Sequence, residues 1–326
     1  MADFLRSKAI HNGTLMLCQG NETRINESKG NMSDETPFAV ASISKLYTYT
    51  LIFQLIDAGR LRTQTTLPEI LPATITRRLP NAPQVTIRHL VDQTSGWANH
   101  ELDRQPNGTI LMNELMQRDR RVNFTEALDI VARMPALAQP GEQAHYADIN
   151  ALLLGKIAET VTGKTAEQLL NEHICAPLGL EHTHWAREDE SIVPFYNGKN
   201  IVRCPRYLSS QLYQGGIIAP NSEVMRFVQA FFREELFALV HIAQPVFRPI
   251  QMRPLRYGSG MMQLTISPLV SPFFGGVREM RGHSGFTGSF AYYCPQKDAI
   301  ITGTTNQLRY HPYPILARAF GSCDQR

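Results

Sequence analysis

A serine and a lysine stand three residues apart at the start of the most apolar segment of this chain. Ser42 and Lys45 lie in the run from Phe38 to Gly59, and their spacing puts both side chains on one helix face, one turn apart. A serine hydroxyl becomes a nucleophile when a base takes its proton, and a lysine in apolar surroundings can be that base. The pair therefore predicts nucleophilic catalysis. The alternative is a serine that caps the helix and a lysine that reaches from the helix end into solvent.

Two later stretches carry groups that could complete such a site. Tyr146 and Asp148 lie in a polar loop before a predicted helix. The phenol would serve as a base if nearby cations lowered its pKa, whereas the alternative is a packed tyrosine with Asp148 as the helix cap. The stretch from Arg281 to Ser289 contains three glycines. It predicts either a close approach of backbone to ligand or a tight hairpin turn.

The elements that must position these residues form a mixed pattern. Residues 42–58 are apolar on all sides and end at Gly59, which predicts a buried helix. Strands are predicted at both ends of the chain, with helices between them; the predicted strands are Gly13 to Gln19, Tyr257 to Ile266, Val277 to His283, Ser289 to Cys294 and Ala299 to Thr305. We therefore predict an α+β fold in which residues 1–66 and 191–326 build the sheet domain and residues 67–190 form a mostly helical insertion domain.

Composition excludes several classes of protein. The chain has 326 residues, a net charge of +3 and basic clusters mixed with acids, which argues against nucleic-acid binding. No apolar run is long enough to cross a bilayer, and the first residues lack the pattern of a leader. The five cysteines fit neither a disulfide framework nor a zinc site. We expect a cytoplasmic protein, or a periplasmic or secreted one if a leader had been removed.

Three motifs stand in a familiar order along the chain. Ser42-Ile43-Ser44-Lys45, Tyr146-Ala147-Asp148 and His283-Ser284-Gly285 follow the order found in serine β-lactamases and penicillin-binding proteins. The chain most resembles the class C β-lactamase-like family, which includes D-Ala-D-Ala carboxypeptidases, D-aminopeptidases and esterases. The similarity runs from about residue 38 to 306 and includes the segments Ile87 to Trp97, Pro140-Gly141, Leu153 to Ile157, Pro177 to Leu180 and Gly215 to Ile218.

The resemblance implies a role for each motif residue. Ser42 would be acylated, while Lys45 and Tyr146 share the proton transfers. The backbone N–H groups of Ser42 and Phe286 would form the oxyanion hole. Asp148 would contact substrate, and His283-Ser284-Gly285 would form an edge strand along which substrate lies. The implied fold is a five-stranded antiparallel sheet flanked by helices, with the active site beside the helical insertion and no cofactor or metal.

Two positions depart from the family pattern. His283 stands where lysine is frequent, and a histidine that is neutral at pH 7 does not pair with a substrate carboxylate. Asp148 stands where asparagine is frequent, and an ionised carboxylate only accepts hydrogen bonds. Both changes favour a small or short-peptide ester or amide, uncharged or amine-bearing, over an anionic lactam. The alternatives are a D-Ala-D-Ala carboxypeptidase, penicillin-binding protein or weak β-lactamase, and a ligand-binding homologue without turnover.

Overall fold

The computed structural model describes residues 3–308 and 310–323. Its strands are β1 (Gly13–Gln19), β2 (Glu22–Lys29), β3 (Phe38–Ala39), β4 (His184–Trp185), β5 (Phe195–Asn197), β6 (Asn200–Val202), β7 (Ile217–Ala219), β8 (Arg248–Pro249), β9 (Arg256–Gly258), β10 (Met261–Thr265), β11 (Glu279–Ser284), β12 (Ser289–Cys294) and β13 (Ala299–Thr304). Its helices are α1 (Ser44–Asp57), α2 (Ala73–Thr76), α3 (Ile87–Val91), α4 (Leu111–Gln117), α5 (Phe124–Arg133), α6 (Ile149–Thr162), α7 (Ala166–Leu170), α8 (Ala176–Leu178), α9 (Pro205–Gly215), α10 (Asn221–Phe232), α11 (Val240–Ala243) and α12 (Tyr313–Gly321).

The main sheet joins both ends of the chain. It is antiparallel, with eight strands in the order β2-β1-β13-β12-β11-β10-β9-β8. Strand β1 pairs with β13, so that Thr14 lies opposite Thr304. The predicted α+β sheet with strands from both ends is therefore confirmed.

The implied number of five strands was wrong. Strands β2, β1, β13, β12 and β11 make five, and β10, β9 and β8 extend the sheet beyond β11. The single strand predicted from Tyr257 to Ile266 turns back at Ser259 and Gly260, which both have positive φ, of 48° and 74°. The resulting hairpin pairs with β11 through β10, so β11 is an interior strand and not the expected edge.

Helices cover both faces of this sheet. Neighbouring residues of a strand point to opposite faces. On β12, the Tyr292 ring packs against Tyr313 of α12, with centroids 6.2 Å apart. The next residue, Tyr293, stacks on Phe232 of α10 at 4.9 Å. Helices α10 and α12 therefore lie on opposite sides.

Helix α1 is the buried helix that the sequence predicts. The Tyr47 ring stacks on Phe227 of α10 with centroids 3.5 Å apart, and the Lys45 side chain is fully buried. Gly59 follows the helix with φ +69°, as expected of a helix-ending glycine. Ser42 does not cap the helix: it lies in a 3₁₀ turn, Ala41–Ile43, which leads into α1.

Helices α2 to α8 all lie in the segment between residues 67 and 190, where the sequence predicts the insertion. The two-domain division itself stays a prediction. Helix α9 was not predicted, and it contains a kink at Leu212, where φ is +35°. Among the described residues, every helix is too short or too polar to cross a membrane.

Candidate active site

The turn that carries Ser42 is fixed from two sides. The Val40 N–H donates to the Ile217 carbonyl of β7 at 3.1 Å. From the start of β12, the Ser289 hydroxyl donates to the Val40 carbonyl at 2.7 Å. Ala41 has φ +49°, an uncommon conformation for a residue with a Cβ, and conformations of this kind cluster at functional sites. Ser42 itself is only partly buried, so its hydroxyl lies at the end of a fixed and accessible turn.

The Lys45 ammonium has three acceptors. Its Nζ lies 3.0 Å from Ser42 Oγ, 2.6 Å from Asp148 Oδ1 and 2.5 Å from the Gln214 carbonyl. The Gln214 carbonyl comes just after the kink at Leu212, where the backbone leaves the helical path. An ammonium has three N–H bonds, so in this arrangement all of them are used.

Asp148 binds Lys45 where the family pattern has an amide. Its Oδ2 accepts a hydrogen bond from Asn99 Nδ2 at 3.0 Å. Burial opposes its ionisation, but the charge of the Lys45 ammonium and the hydrogen bonds from Lys45 and Asn99 hold the pKa of Asp148 below its ordinary value. The carboxylate makes no cap bond to α6, which it precedes. Asp148 is therefore ionised at neutral pH and is paired within the protein.

The Tyr146 phenol is close to the Ser42–Lys45 pair, with Lys45 Nζ 5.1 Å from its ring centroid. Burial and the charge of Asp148 raise its pKa well above 10, and the nearby Ser42 hydroxyl only partly opposes them. The condition for a phenolic base, a pKa lowered by cations, is therefore not met. Burial is the larger cause of the raised pKa, and the Asp148 carboxylate adds to it.

His283 is fully buried, and both of its ring nitrogens are engaged. Nδ1 lies 2.9 Å from the Ser284 carbonyl, so it carries the proton, and Nε2 lies 3.3 Å from the Tyr257 hydroxyl. The Tyr257 and Tyr49 hydroxyls are 2.9 Å apart, and Gln93 Nε2 donates to Tyr49 at 3.2 Å. All four hydrogen bonds form when Gln93 donates to Tyr49, Tyr49 donates to Tyr257, Tyr257 donates to His283 Nε2 and His283 Nδ1 donates to the Ser284 carbonyl. In this arrangement His283 is neutral. Burial, with help from Lys45, lowers the pKa of His283 to about 3.

The two predicted oxyanion donors have no acceptor among the residues that the structure describes. These are the backbone N–H groups of Ser42 and Phe286. The Phe286 ring packs edge-on against Phe195 and Tyr207, at 5.7 and 5.9 Å. Thr287 anchors the same loop by donating to the Ala39 carbonyl at 2.9 Å. Such unpaired, rigidly held N–H groups are the kind that stabilise a developing oxyanion.

The last two residues of β11 pair with β12 but not with β10. The pairing with β10 ends where Met262 lies opposite Gly282, so His283 and Ser284 run past the last pair. The Ser284 hydroxyl contacts the hydroxyls of Tyr292 and Tyr313, at 2.8 and 3.3 Å. Gly285 packs so closely on the Ser42 turn that a Cβ there would lie 2.7 Å from that of Ala41.

A buried acid beside the site was missed from the sequence. Glu101 accepts from the Tyr207 hydroxyl at 2.6 Å and from Gln214 Nε2 at 2.7 Å. Burial and the charge of Asp148 raise the pKa of Glu101 to about 8, and burial lowers the pKa of neighbouring His100 to about 4. The one sequence signal for His100 and Glu101 is their position just after the segment that ends at Trp97, which resembles the family.

Comparison with known proteins agrees with this fold. "Penicillin-binding protein 4" of Amycolatopsis lactamdurans is 29% identical over 153 residues, which are 47% of this chain and 37% of that protein. A D-stereospecific amidohydrolase from Streptomyces sp. has the same fold, with a TM-score of 0.78 and 20% identity over 96% of this chain and 94% of the other. The D-amino acid amidase of Ochrobactrum anthropi SV3 also has this fold, with a TM-score of 0.77 and 20% identity over 96% of this chain and 95% of the other. The chain spans about a third of the length of the first curated relatives that it matches.

The antiparallel sheet with its helices and the Ser42–Lys45 pair are features of the β-lactamase-like class of proteins. The family model described as "Beta-lactamase" matches residues 1–320. The chain therefore belongs to the beta-lactamase family, and its recognition from the three sequence motifs is confirmed.

Proposed function

We propose that this chain is a hydrolase that forms an acyl-enzyme at Ser42 with small esters or amides that are uncharged or amine-bearing. The observation that carries the proposal is the 3.0 Å contact between Ser42 Oγ and Lys45 Nζ in a partly open turn. The unpaired N–H groups of Ser42 and Phe286 support it, because a tetrahedral intermediate needs donors for its oxyanion.

The charges of the site support the substrate class. Lys45 is bound to Asp148, and His283 is neutral because its pKa is about 3. Neither side chain offers a free positive charge to the carboxylate of a penicillin. The names of two proteins of the same fold, a D-stereospecific amidohydrolase and a D-amino acid amidase, agree with an amide substrate.

The nucleophile is tested by intact-protein mass spectrometry after incubation with a fluorophosphonate or a fluorescent penicillin. We expect a stable phosphonate adduct on the wild type and none on Ser42→Ala. Ser44→Ala is the matched control: Ser44 lies two residues away, and its hydroxyl is buried and accepts from the Ile217 N–H at 3.0 Å. This control should be labelled like the wild type.

Other outcomes would change the proposal. A stable penicillin adduct on Ser42 would favour a penicillin-binding protein or carboxypeptidase. No adduct with either probe would contradict the nucleophile and favour a ligand-binding homologue.

The substrate class is tested with a pair of p-nitroanilides that differ in charge. D-alanine p-nitroanilide carries a free amine, and its N-succinyl derivative carries a carboxylate instead. We expect a kcat/KM at least about tenfold higher for the amine-bearing compound, since like-charge contacts and unpaired buried carboxylates are unfavourable. Equal or reversed values would contradict the substrate class while leaving the nucleophile intact.

A further inference from the structure

We propose that the Asp148 carboxylate is the proton acceptor of this site, and that it acts through Lys45 on Ser42. The inference rests on the proposed acylation of Ser42 and gives Asp148 a catalytic role in place of the substrate contact that the resemblance implies. It starts from one observation: the lysine next to the nucleophile is bound directly to a carboxylate.

The hydrogen bonds of Lys45 leave it unable to accept a proton. Its three N–H bonds point to Ser42 Oγ, the Gln214 carbonyl and Asp148 Oδ1. Lys45 must lose one of these protons before it can act as a base. A carbonyl oxygen does not take it, and Ser42 is the group to be deprotonated. Asp148 is the one contacting group that can hold it.

The other titratable groups around Asp148 do not replace it. They come from α1, the loop after α3, the loop before α6, α9, β9 and β11, and they are Lys45, Tyr49, His100, Glu101, Tyr146, Tyr207, Tyr257 and His283. The tyrosines keep their protons, because burial raises the pKa of each phenol. Glu101 accepts from Tyr207 and Gln214 and makes no contact with Lys45. His283 Nε2 is occupied by Tyr257.

The proton can be followed through the whole step. Lys45 Nζ gives a proton to Asp148 Oδ1, which leaves an amine and a carboxylic acid. The Ser42 hydroxyl then gives its proton to Nζ while Oγ bonds to the substrate carbonyl carbon. Collapse of the tetrahedral intermediate breaks the bond to the leaving group, which takes a proton from Nζ. Asp148 returns its proton to Lys45, so the net result is transfer of the Ser42 proton to the leaving group.

Burial makes the neutral pair accessible. The Lys45 and Asp148 side chains are 0% and 7% exposed, and a substrate over Ser42 removes the remaining water. Loss of water disfavours separated charges more than a neutral acid and amine. Asn99 holds the second carboxylate oxygen and so fixes Oδ1 toward Lys45.

The rate of fluorophosphonate labelling against pH tests the proposal, since the leaving fluoride needs no proton. We expect a flat rate for the wild type between about pH 5 and 9, with loss only below the ordinary aspartate pKa of about 4. In Asp148→Asn, Lys45 must lose its proton to solvent. Its rate at pH 7 should fall by at least about 100-fold and should rise about tenfold per pH unit between pH 7 and 9. Asp148→Glu should restore a flat profile.

Asp92→Asn is the matched control. Asp92 is also ion-paired, 2.6 Å from Arg88 Nε, and accepts from a backbone N–H, but it does not contact Lys45. Its profile should match the wild type.

A wild-type rate that rises tenfold per unit between pH 7 and 9 would overturn the proposal even if Asp148→Asn does not fold. So would an Asp148→Asn rate equal to or above that of the wild type at pH 7. If the wild type gains no adduct at Ser42, the proposed function fails first, and the proposal fails with it.

Discussion

Replacement of Gly285 by alanine tests how closely the loop that carries Phe286, a proposed oxyanion donor, must approach the proposed nucleophile Ser42. A Cβ at this position would lie 2.2 Å from Ser289 Oγ, 2.7 Å from the Ala41 Cβ and 2.9 Å from the Val40 carbonyl. In protein structures, a Cβ atom essentially never lies closer than 3.0 Å to a non-bonded heavy atom. Since both Val40 and Ala41 belong to the turn that carries Ser42, the loop and the turn must separate.

The size of the effect follows from these contacts. The Ser289 hydroxyl can rotate away, but it then loses its 2.7 Å bond to the Val40 carbonyl, which costs about 1 kcal/mol. The fixed atoms must move apart by several tenths of an ångström, an overpacking that costs about 1–3 kcal/mol. We expect the free energy of unfolding to fall by about 2–4 kcal/mol in total. For a chain of this size, Tm then falls by roughly 3–6 °C.

The effect on chemistry should be larger than the effect on stability. The loop carries the Phe286 N–H, and the turn carries that of Ser42. A misplacement of this scale costs about 100-fold in rate. The assay is the second-order rate of fluorophosphonate labelling at Ser42, with Tm measured on the same samples.

Gly163→Ala is the matched control for Gly285→Ala. Gly163 ends α6 with φ +72° and has no atom within 4 Å of its Cβ position, so alanine there brings backbone strain of about 1 kcal/mol without a clash. It should lower Tm and leave the labelling rate unchanged. A Gly285→Ala protein labelled within threefold of the wild-type rate would refute the reasoning.

Three further predictions concern single groups. Tyr146→Phe should lower turnover of an amide and of p-nitrophenyl acetate alike, by less than tenfold, because Lys45 Nζ and not the phenol gives the leaving group its proton in the proposed step; a loss of about 100-fold for the amide alone would contradict that step and make the phenol the donor. His283 and His100 have pKa values of about 3 and 4 in the folded protein, so below pH 6.5 the unfolded chain binds more protons and the protein loses stability as the pH is lowered. Each histidine should lower the free energy of unfolding by about 2 kcal/mol between pH 6.5 and pH 5, measured by urea unfolding, and His283→Asn should reduce this pH dependence. Glu101 has a pKa of about 8, so between pH 4.5 and 8 the folded chain binds more protons than the unfolded chain and this group's contribution to stability falls as pH rises. The stability of Glu101→Gln should therefore increase relative to that of the wild type from pH 5 to 9, and a difference in stability that does not change with pH would contradict this prediction.

Local patterns predicted the central elements well. Helix α1, strand β1 and strand β12 lie where the apolar periodicity placed them, because each is determined by residues next to one another in the chain. The spacing of Ser42 and Lys45 predicted their contact for the same reason. The hairpin at Ser259-Gly260 was missed although that dipeptide is a turn signal.

The partners of the motif residues could not be predicted in this way. Asn99, Gln214 and Tyr257 come from distant segments, and no local pattern distinguishes them. The kink at Leu212 has no glycine or proline at that position to signal it, and it is determined by packing around α9. Asp148 shows the same limit: the sequence revealed the departure from asparagine, but the bond to Lys45 became visible only in three dimensions.

The pairing of β1 with β13 has a consequence for synthesis of the chain on the ribosome. Strand β1 has β2 on one side and β13 on the other, and β13 ends at Thr304. The loop at residues 285–289, which fixes the Ser42 turn, also lies near the end of the chain. Ser42, the proposed nucleophile, is therefore translated long before β12 and β13. If Ser42 is the nucleophile that we propose, a nascent chain is not acylated there until β12 and β13 have left the exit tunnel.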